Sequence, residues 1–338
     1  MKLSVSAVPA RAALCASVAA RLFLSLMLDG PTTHNGAWLS ALLAGAAAMP
    51  VAFLLGRGRR PNSPRASRLT MAVFMLAVAL DAAEAMRCVT RSAGFLALDD
   101  TRPLFLLLPV ALATLWCVGK NGDATGYAAS VWIRIFPLLL ALVLLMQARH
   151  LRPGWIFPLF GGGGGAIGLG AMRAAGGTAS LCGALLFQEG DGRPSRTVGA
   201  LAIAAAVAAL LIVFQLMMLP TPLNADSLSW IDRLDGLITN GRAPLYLQLP
   251  MMLLWFAALL HLLAWDCFLS AALLQRCVPH INGRLCVLIA VLAAALLTGI
   301  SDHLEPLFRW RWAALLAAAA LNLLPLRTRG GRVCAESH

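Results

Sequence analysis

The sequence predicts an all-α, polytopic membrane protein of about ten transmembrane helices, forming one integral membrane domain over residues 1–338. Three observations lead to that expectation. Hydrophobic residues make up 60% of the chain and charged residues only 12%, a balance far from that of a water-soluble domain. Apolar runs long enough to cross roughly 30 Å of hydrocarbon recur from one end to the other. The connections between them leave no stretch from which to build a sizeable aqueous domain. Inside a bilayer such runs must be helical, because a helix satisfies its own backbone N–H and C=O groups where water cannot.

The runs fall at 9–28, 36–55, 69–96, 104–118, 126–148, 167–187, 198–219, 244–274, 285–300 and 307–326. The first is expected to be a retained span, since the chain continues into membrane and no small-residue cleavage pattern follows it. Arg21 lies deep within it, in a stretch free of glycine and proline. The second and fourth qualify by length and apolarity alone. The third contains Asp81, Glu84, Arg87 and Arg91. Near the start of the fifth, Ser130 and Arg134 are placed to reach an interface, the arginine by snorkelling. The sixth is dense in glycine. The seventh and tenth hold Gln215 and Asn322, read as interhelical hydrogen-bonders. In the eighth, His261 and Asp266 sit near Trp255 and Trp265, and His261 reads either as a satisfied bundle histidine or as a proton carrier.

The third span poses the sharpest question. Separations of three, three and four residues put Asp81, Glu84, Arg87 and Arg91 on one helical face, where hydrocarbon is a hostile solvent for all of them. They must therefore face protein or water. Two acids preceding two bases permits pairing along the helix, so the face is either a structural ladder or part of a ligand or ion site.

The sixth span follows a glycine run, 161–165, and contains Gly168, Gly170, Gly176, Gly177 and Gly183. Each glycine costs roughly 1 kcal/mol relative to alanine in a helix, so the density predicts an interruption around 174–179. Unwound backbone at mid-membrane exposes groups that can hold a carboxylate, an ammonium or a cation. The competing reading is close helix packing through small residues. Arg173, just before the expected break, is placed to meet an anionic ligand or the acids of the third span.

The net charge of +12 is distributed as membrane topology would have it. Arg57, Arg59, Arg60, Arg65 and Arg68 fill one connection, Arg327, Arg329 and Arg332 the tail, and Lys2 and Arg11 the start. With an even number of spans all three lie on one side, so both termini are expected in the cytoplasm. Asp226, Asp232 and Asp235 occupy an opposite connection, as do Asp302 and Glu305, while Arg149 and Arg152 are exceptions to the bias. A nucleic-acid partner would need a basic soluble module, which the chain lacks. The eight cysteines show no CxxC or metal-ligand spacing, and no phosphate-binding loop, GxSxG elbow or HExxH pair occurs. No cofactor, metal or enzymatic reaction is expected; a membrane enzyme would have to use the acidic connection ending at Asp235.

Several segments resemble, in order, the B subunits of spore nutrient-germinant receptors, the endospore germination permeases of the amino acid-polyamine-organocation transporter superfamily. Arg87 is followed by Leu98, Thr101 and Pro103, similar to that family's connection into its fourth span. Gly126 to Arg134 is similar to the opening of its fifth, and the segment from Leu151 to Pro158 to the proline-containing lead into its sixth. Trp230 to Asp235, read as WIDRLD, resembles the family's acidic motif before span eight. The likeness covers residues 69–275. There are departures: Arg21 and alanines replace a glycine-broken first span, Gly176 and Gly177 stand where the family has Gly-Glu, and the link between spans two and three is short.

The resemblance implies a five-plus-five inverted-repeat transporter fold with discontinuous helices 1 and 6. It implies a germinant-sensing subunit in the spore inner membrane that binds an amino acid or similar small nutrient and signals to other receptor subunits. The site it implies lies between spans one, three, six and eight, with Glu84, Arg87, Arg173, Gly176, Gly177, Thr178, His261 and Asp266 as ligand contacts. An ion-coupled secondary transporter of amino acids or polyamines, and a non-binding assembly subunit, are the alternatives.

Overall fold

A computed structural model describes residues 17–18, 21, 34–57, 64–97, 103–120, 127–128, 131, 151–181, 194–218, 245–300, 303 and 305–321. The described residues contain helices and no strand. In chain order the longer helices are α1 (Ala37–Arg57), α2 (Pro64–Ala97), α3 (Pro103–Lys120), α4 (Gly163–Gly176), α5 (Pro194–Met218), α6 (Leu245–Cys277), α7 (Gly283–Gly299) and α8 (Glu305–Leu321). Ser17, Val18 and Arg21 of the first span are also helical. α2 begins at Pro64, so Arg65 and Arg68, which the sequence places in a connection, belong to the helix. Most of the fifth span, the acidic connection with Asp226, Asp232 and Asp235, and the arginines of the tail lie outside the described residues.

Packing divides the helices into two groups. α1 packs on α4 and α5, while α2, α3, α6 and α7 pack on one another; α8 touches α1 and α4 on one side and α2 on the other. Within the first group the contact is made by small residues. Ala37, Ala41, Ala44 and Ala48 of α1 are buried, as are Ala204, Ala205 and Ala208 of α5, and a Cβ added to Gly45 would overlap that of Ala205. Lipid tails are as apolar as leucine, so helices in a bilayer gain from backbone approach through small residues more than from burying large ones.

Large apolar residues of α3 and α7 face outward, while α2 and α6 bury Phe74, Met86, Trp265 and Phe268 in the second group. On α3, Phe105, Leu108, Leu112 and Trp116 recur at helical spacing and are exposed. On α7, Leu285, Leu288, Leu292 and Leu296 do the same while Cys286, Val287, Ala290 and Ala294 turn inward. Among the described residues, Ala37–Leu54 and Leu69–Thr90 are helical stretches long and apolar enough to cross a membrane.

Polar side chains tie the helices at few points. Ser40 donates from Oγ to the Ile167 carbonyl at 2.9 Å, Trp312 from Nε1 to the Ala47 carbonyl at 2.9 Å, and Thr298 from Oγ1 to the Ala83 carbonyl at 3.1 Å. Asn35 donates from Nδ2 to the carbonyls of Trp155 and Phe157, fixing the segment ahead of α4. The glycine run there has one conformational requirement: Gly163 opens α4 at φ +78°, a region that residues with a Cβ seldom enter.

Candidate functional site

α4 stops at Gly176, deep in the bundle. Gly177 and Thr178 form a turn and Ala179–Leu181 a single 3-10 turn. The interruption expected from the sequence thus lies at 176–178. Its local chemistry is ordinary capping: the Gly177 N–H donates to the Arg173 carbonyl at 3.2 Å, and Thr178 Oγ1 donates to the Ala175 carbonyl at 2.6 Å. Neither glycine is required by its backbone angles, since Gly177 sits at φ −67° and Gly176 is helical. Both are required by space. A Cβ on Gly177 would fall 2.8 Å from Arg21 Cγ, and one on Gly176 would fall 3.0 Å from Arg311 Nε and 3.3 Å from the Trp312 backbone nitrogen. The break is therefore a seat for two arginine stems, arriving from the first span and from α8.

Those arginines end among the acids of the third span. Arg21 Nη2 donates to Asp266 Oδ2 at 2.6 Å and to the Asp81 carbonyl, and Arg21 Nη1 reaches Glu84 Oε2 at 3.3 Å. Arg311 Nη1 donates to Asp81 Oδ1, and its Nη2 lies 3.6 Å from Glu84 Oε2. Arg173 Nη2 completes the set at 3.7 Å from Glu84 Oε1. Three carboxylates and three guanidiniums thus compensate one another, and all but Arg173 are buried. The guanidinium of Arg311 also stands over the Phe308 ring, 5.4 Å from its centre.

Such a cluster is stable only because it is closed. Taking a charge out of water costs several kcal/mol, which mutual attraction and hydrogen bonds offset only when every charge has a partner. Its members come from five separate parts of the chain, the first span, α2, α4, α6 and α8. Folding is what assembles it.

The acids of the third span find partners on other elements. Asp81 and Glu84 pair across the bundle, with arginines of three other elements, because each arginine fork reaches its acid from a facing helix. Arg87 lies one turn beyond Glu84 and is half-buried, and the Arg91 side chain lies outside the described residues. Of the ligand contacts expected from the sequence, Glu84, Arg173, Gly176, Gly177 and Asp266 meet at one place. Thr178 adjoins it but spends its hydroxyl on the local turn. His261 is five residues before Asp266 on α6, about 140° around the helix, and its Nε2 has no partner among the described residues.

Arg21, Arg311 and Asp81 are absent from the ligand contacts expected from the sequence, although Asp81 belongs to the charged face of the third span. Arg21 carries a usable signal, an isolated arginine within an apolar run, which by itself marks an intramembrane function or pairing; Arg311 follows Glu305 and Arg309 at the start of the tenth run, where it reads as one of several charges at a helix end. In the sequence Arg21 reads as a departure from a ligand-binding first span. In the structure it occupies the centre.

No family model matches the chain and no curated protein matches its sequence. Solved structures do match its fold. A nucleobase-cation-symport-1 family transporter, Mhp1, closed with bromovinylhydantoin bound, superposes with a TM-score of 0.65 at 12% identity, covering 94% of this chain and 76% of Mhp1. MhsT in complex with L-phenylalanine gives 0.64 at 15% identity, covering 95% of this chain and 89% of MhsT. A manganese transporter of Eremococcus coleocola, in a mutant form, gives 0.54 at 15% identity over 94% and 78%. At these identities the likeness concerns the fold, and with the long apolar helices it makes the chain an integral membrane protein with the inverted-repeat transporter fold.

Proposed function

We propose that this transporter-like protein is a sensing subunit, of the spore germinant-receptor kind, that detects an amino acid or similar small nutrient at the centre of its bundle. It passes the signal to partner subunits in the spore inner membrane, with both termini in the cytoplasm. The observation that supports this best is the seat of Arg21 and Arg311 against the break at Gly176 and Gly177, where both arginines join the acids of α2. A ligand there would alter contacts between the two helix groups directly. It shifts their equilibrium by the difference between its affinities for the two arrangements, and neighbouring subunits read the change. The proposed contacts are Glu84, Arg87, Arg173, Gly176, Gly177, Thr178, His261 and Asp266.

The second reading is an ion-coupled secondary transporter of amino acids or polyamines, favoured by the transporters whose fold the chain shares. Transport requires the central cluster to open and reclose in every cycle. Its ion pairs hold the first span, α4 and α8 to α2 and α6, and that cross-linking suits occasional switching better than turnover. Thermal stability of the purified protein in detergent, across amino acids, sugars, nucleosides and polyamines, tests for a site. Stabilisation by one compound, lost in Gly177→Trp, is expected. Gradient-driven uptake of that compound into proteoliposomes would replace sensing by transport, and no stabilisation by any would leave an assembly subunit.

A further inference from the structure

The charges of the central cluster are segregated. Every carboxylate, Asp81 and Glu84 on α2 and Asp266 on α6, belongs to one packed group of helices. Every guanidinium enters from outside that group, on the first span, α4 or α8. The acids ride on short side chains fixed to two helices packed along each other, so their oxygens form a preformed set of acceptors. The arginines reach it on long stems.

Arg21 meets that set as a bound cation would. Its head group is held by Asp266 at 2.6 Å, Glu84 at 3.3 Å and the carbonyl of Asp81, and its stem lies on Gly177. Acceptor capacity is left over. Asp266 Oδ1 is buried and has no hydrogen-bond partner among the described residues, and one donor of the cluster, Arg311 Nε, is likewise without one. Carboxylates accept and never donate when ionised, so a planar fork of five N–H donors satisfies them better than a spherical ion or a hydroxyl. An anionic group in the place of Arg21 would face three carboxylates balanced by only two guanidiniums, those of Arg173 and Arg311.

We infer that the centre of the bundle is a guanidinium-binding site that the chain fills with its own Arg21. Resting on the sensing site proposed above, this makes the ligands that compete for it guanidinium- or amine-bearing cations. Carboxylate compounds without a second, cationic group are excluded.

The test is chemical rescue. Full-length Arg21→Ala, with Arg21→Gln as a second variant that keeps the stem, is purified in detergent and its melting temperature followed. Breaking a buried pair lowers it by on the order of 10 °C. Low-millimolar guanidinium or methylguanidinium chloride returns at least half of that loss, sodium chloride at equal ionic strength returns none, and wild type is unmoved by either guanidinium salt. Arg21→Ala combined with Asp266→Asn loses the rescue, because an acceptor is gone. Folded variants that sodium rescues equally, that no cation rescues, or whose rescue survives Asp266→Asn overturn the site. Stabilisation of wild type by glutarate overturns the ligand class. Rescue without any nutrient response would remove the sensing function and leave the site standing, whereas a nutrient response unchanged by Arg21→Ala would do the reverse.

Discussion

Arg311→Met is expected to be among the most damaging substitutions in the chain. Arg311 is 3% exposed, and it pairs with Asp81 and lies 3.6 Å from Glu84. Methionine, about as long as the arginine stem, fills the space beside Gly176 but takes one positive charge from a group of three acids and three bases. The remaining set carries a net negative charge with no water to solvate Asp81. Removing one partner of a buried pair costs about 3–5 kcal/mol, more than the packing of a methionine can return. At roughly 2–4 °C per kcal/mol the melting temperature falls by about 6–20 °C. The double variant Arg311→Met with Asp81→Leu removes both charges and should recover more than half of the loss, since the cost lies in the orphaned acid. The assay is thermal unfolding of the detergent-purified single and double variants beside wild type. A single variant within about 1 °C of wild type, or a double variant less stable than the single, would show that Asp81 is solvated or protonated and that the cluster is not a closed set of charges.

Gly45→Val should destabilise by about 1–3 kcal/mol through overpacking against Ala205, read by melting temperature, while Gly199→Ala, where a Cβ meets nothing, should be neutral or stabilising by up to roughly 1 kcal/mol. Gly176→Ala should lower stability measurably because the new methyl meets the Arg311 stem and the Trp312 backbone; an unchanged melting curve would mean that α8 can shift away. Trp312→Phe removes the donor to the Ala47 carbonyl and should cost about 1 kcal/mol, with amide exchange rising in the middle of α1 if that bond pins it. Asn282→Ala removes the side-chain acceptor for the Arg284 N–H at the start of α7, and about 1 kcal/mol of cap stability with it; substitution by Ser or Asp should restore it.

How much of the site was legible depends on which kind of signal each residue carries. Glu84 and Asp266 could be found because an acid inside an apolar run is anomalous wherever it stands. Gly176 and Gly177 could be found as a break, with close packing through small residues as the competing reading, though what would approach them could not. Glycine density suggested unwinding, whereas the structure uses these two for the close approach of Arg21 and Arg311. The partners of the acids were beyond reach. Arg87 and Arg91 lie nearest along the third span, but the arginines that hydrogen-bond to the side chains of Asp81, Glu84 and Asp266 stand 230, 63 and 245 residues away. Spacing along a chain informs about one helix at a time, and no periodicity announces which helix it will face.

By itself the sequence determined the solvent and therefore the class. Apolar runs of span length admit only helices in a bilayer, and isolated charges within them must turn inward, two conclusions that need no contact between distant residues. Tertiary structure decided what those charges do. Small residues let α1 close on α5 and α4, acids and arginines from five parts of the chain then fell within a few ångströms, and the low dielectric there makes each uncompensated charge cost several kcal/mol. That is why a chain with Arg21 in its first span has a filled centre: the acids of α2 and α6 demand a cation, and the fold brings one from its own first span.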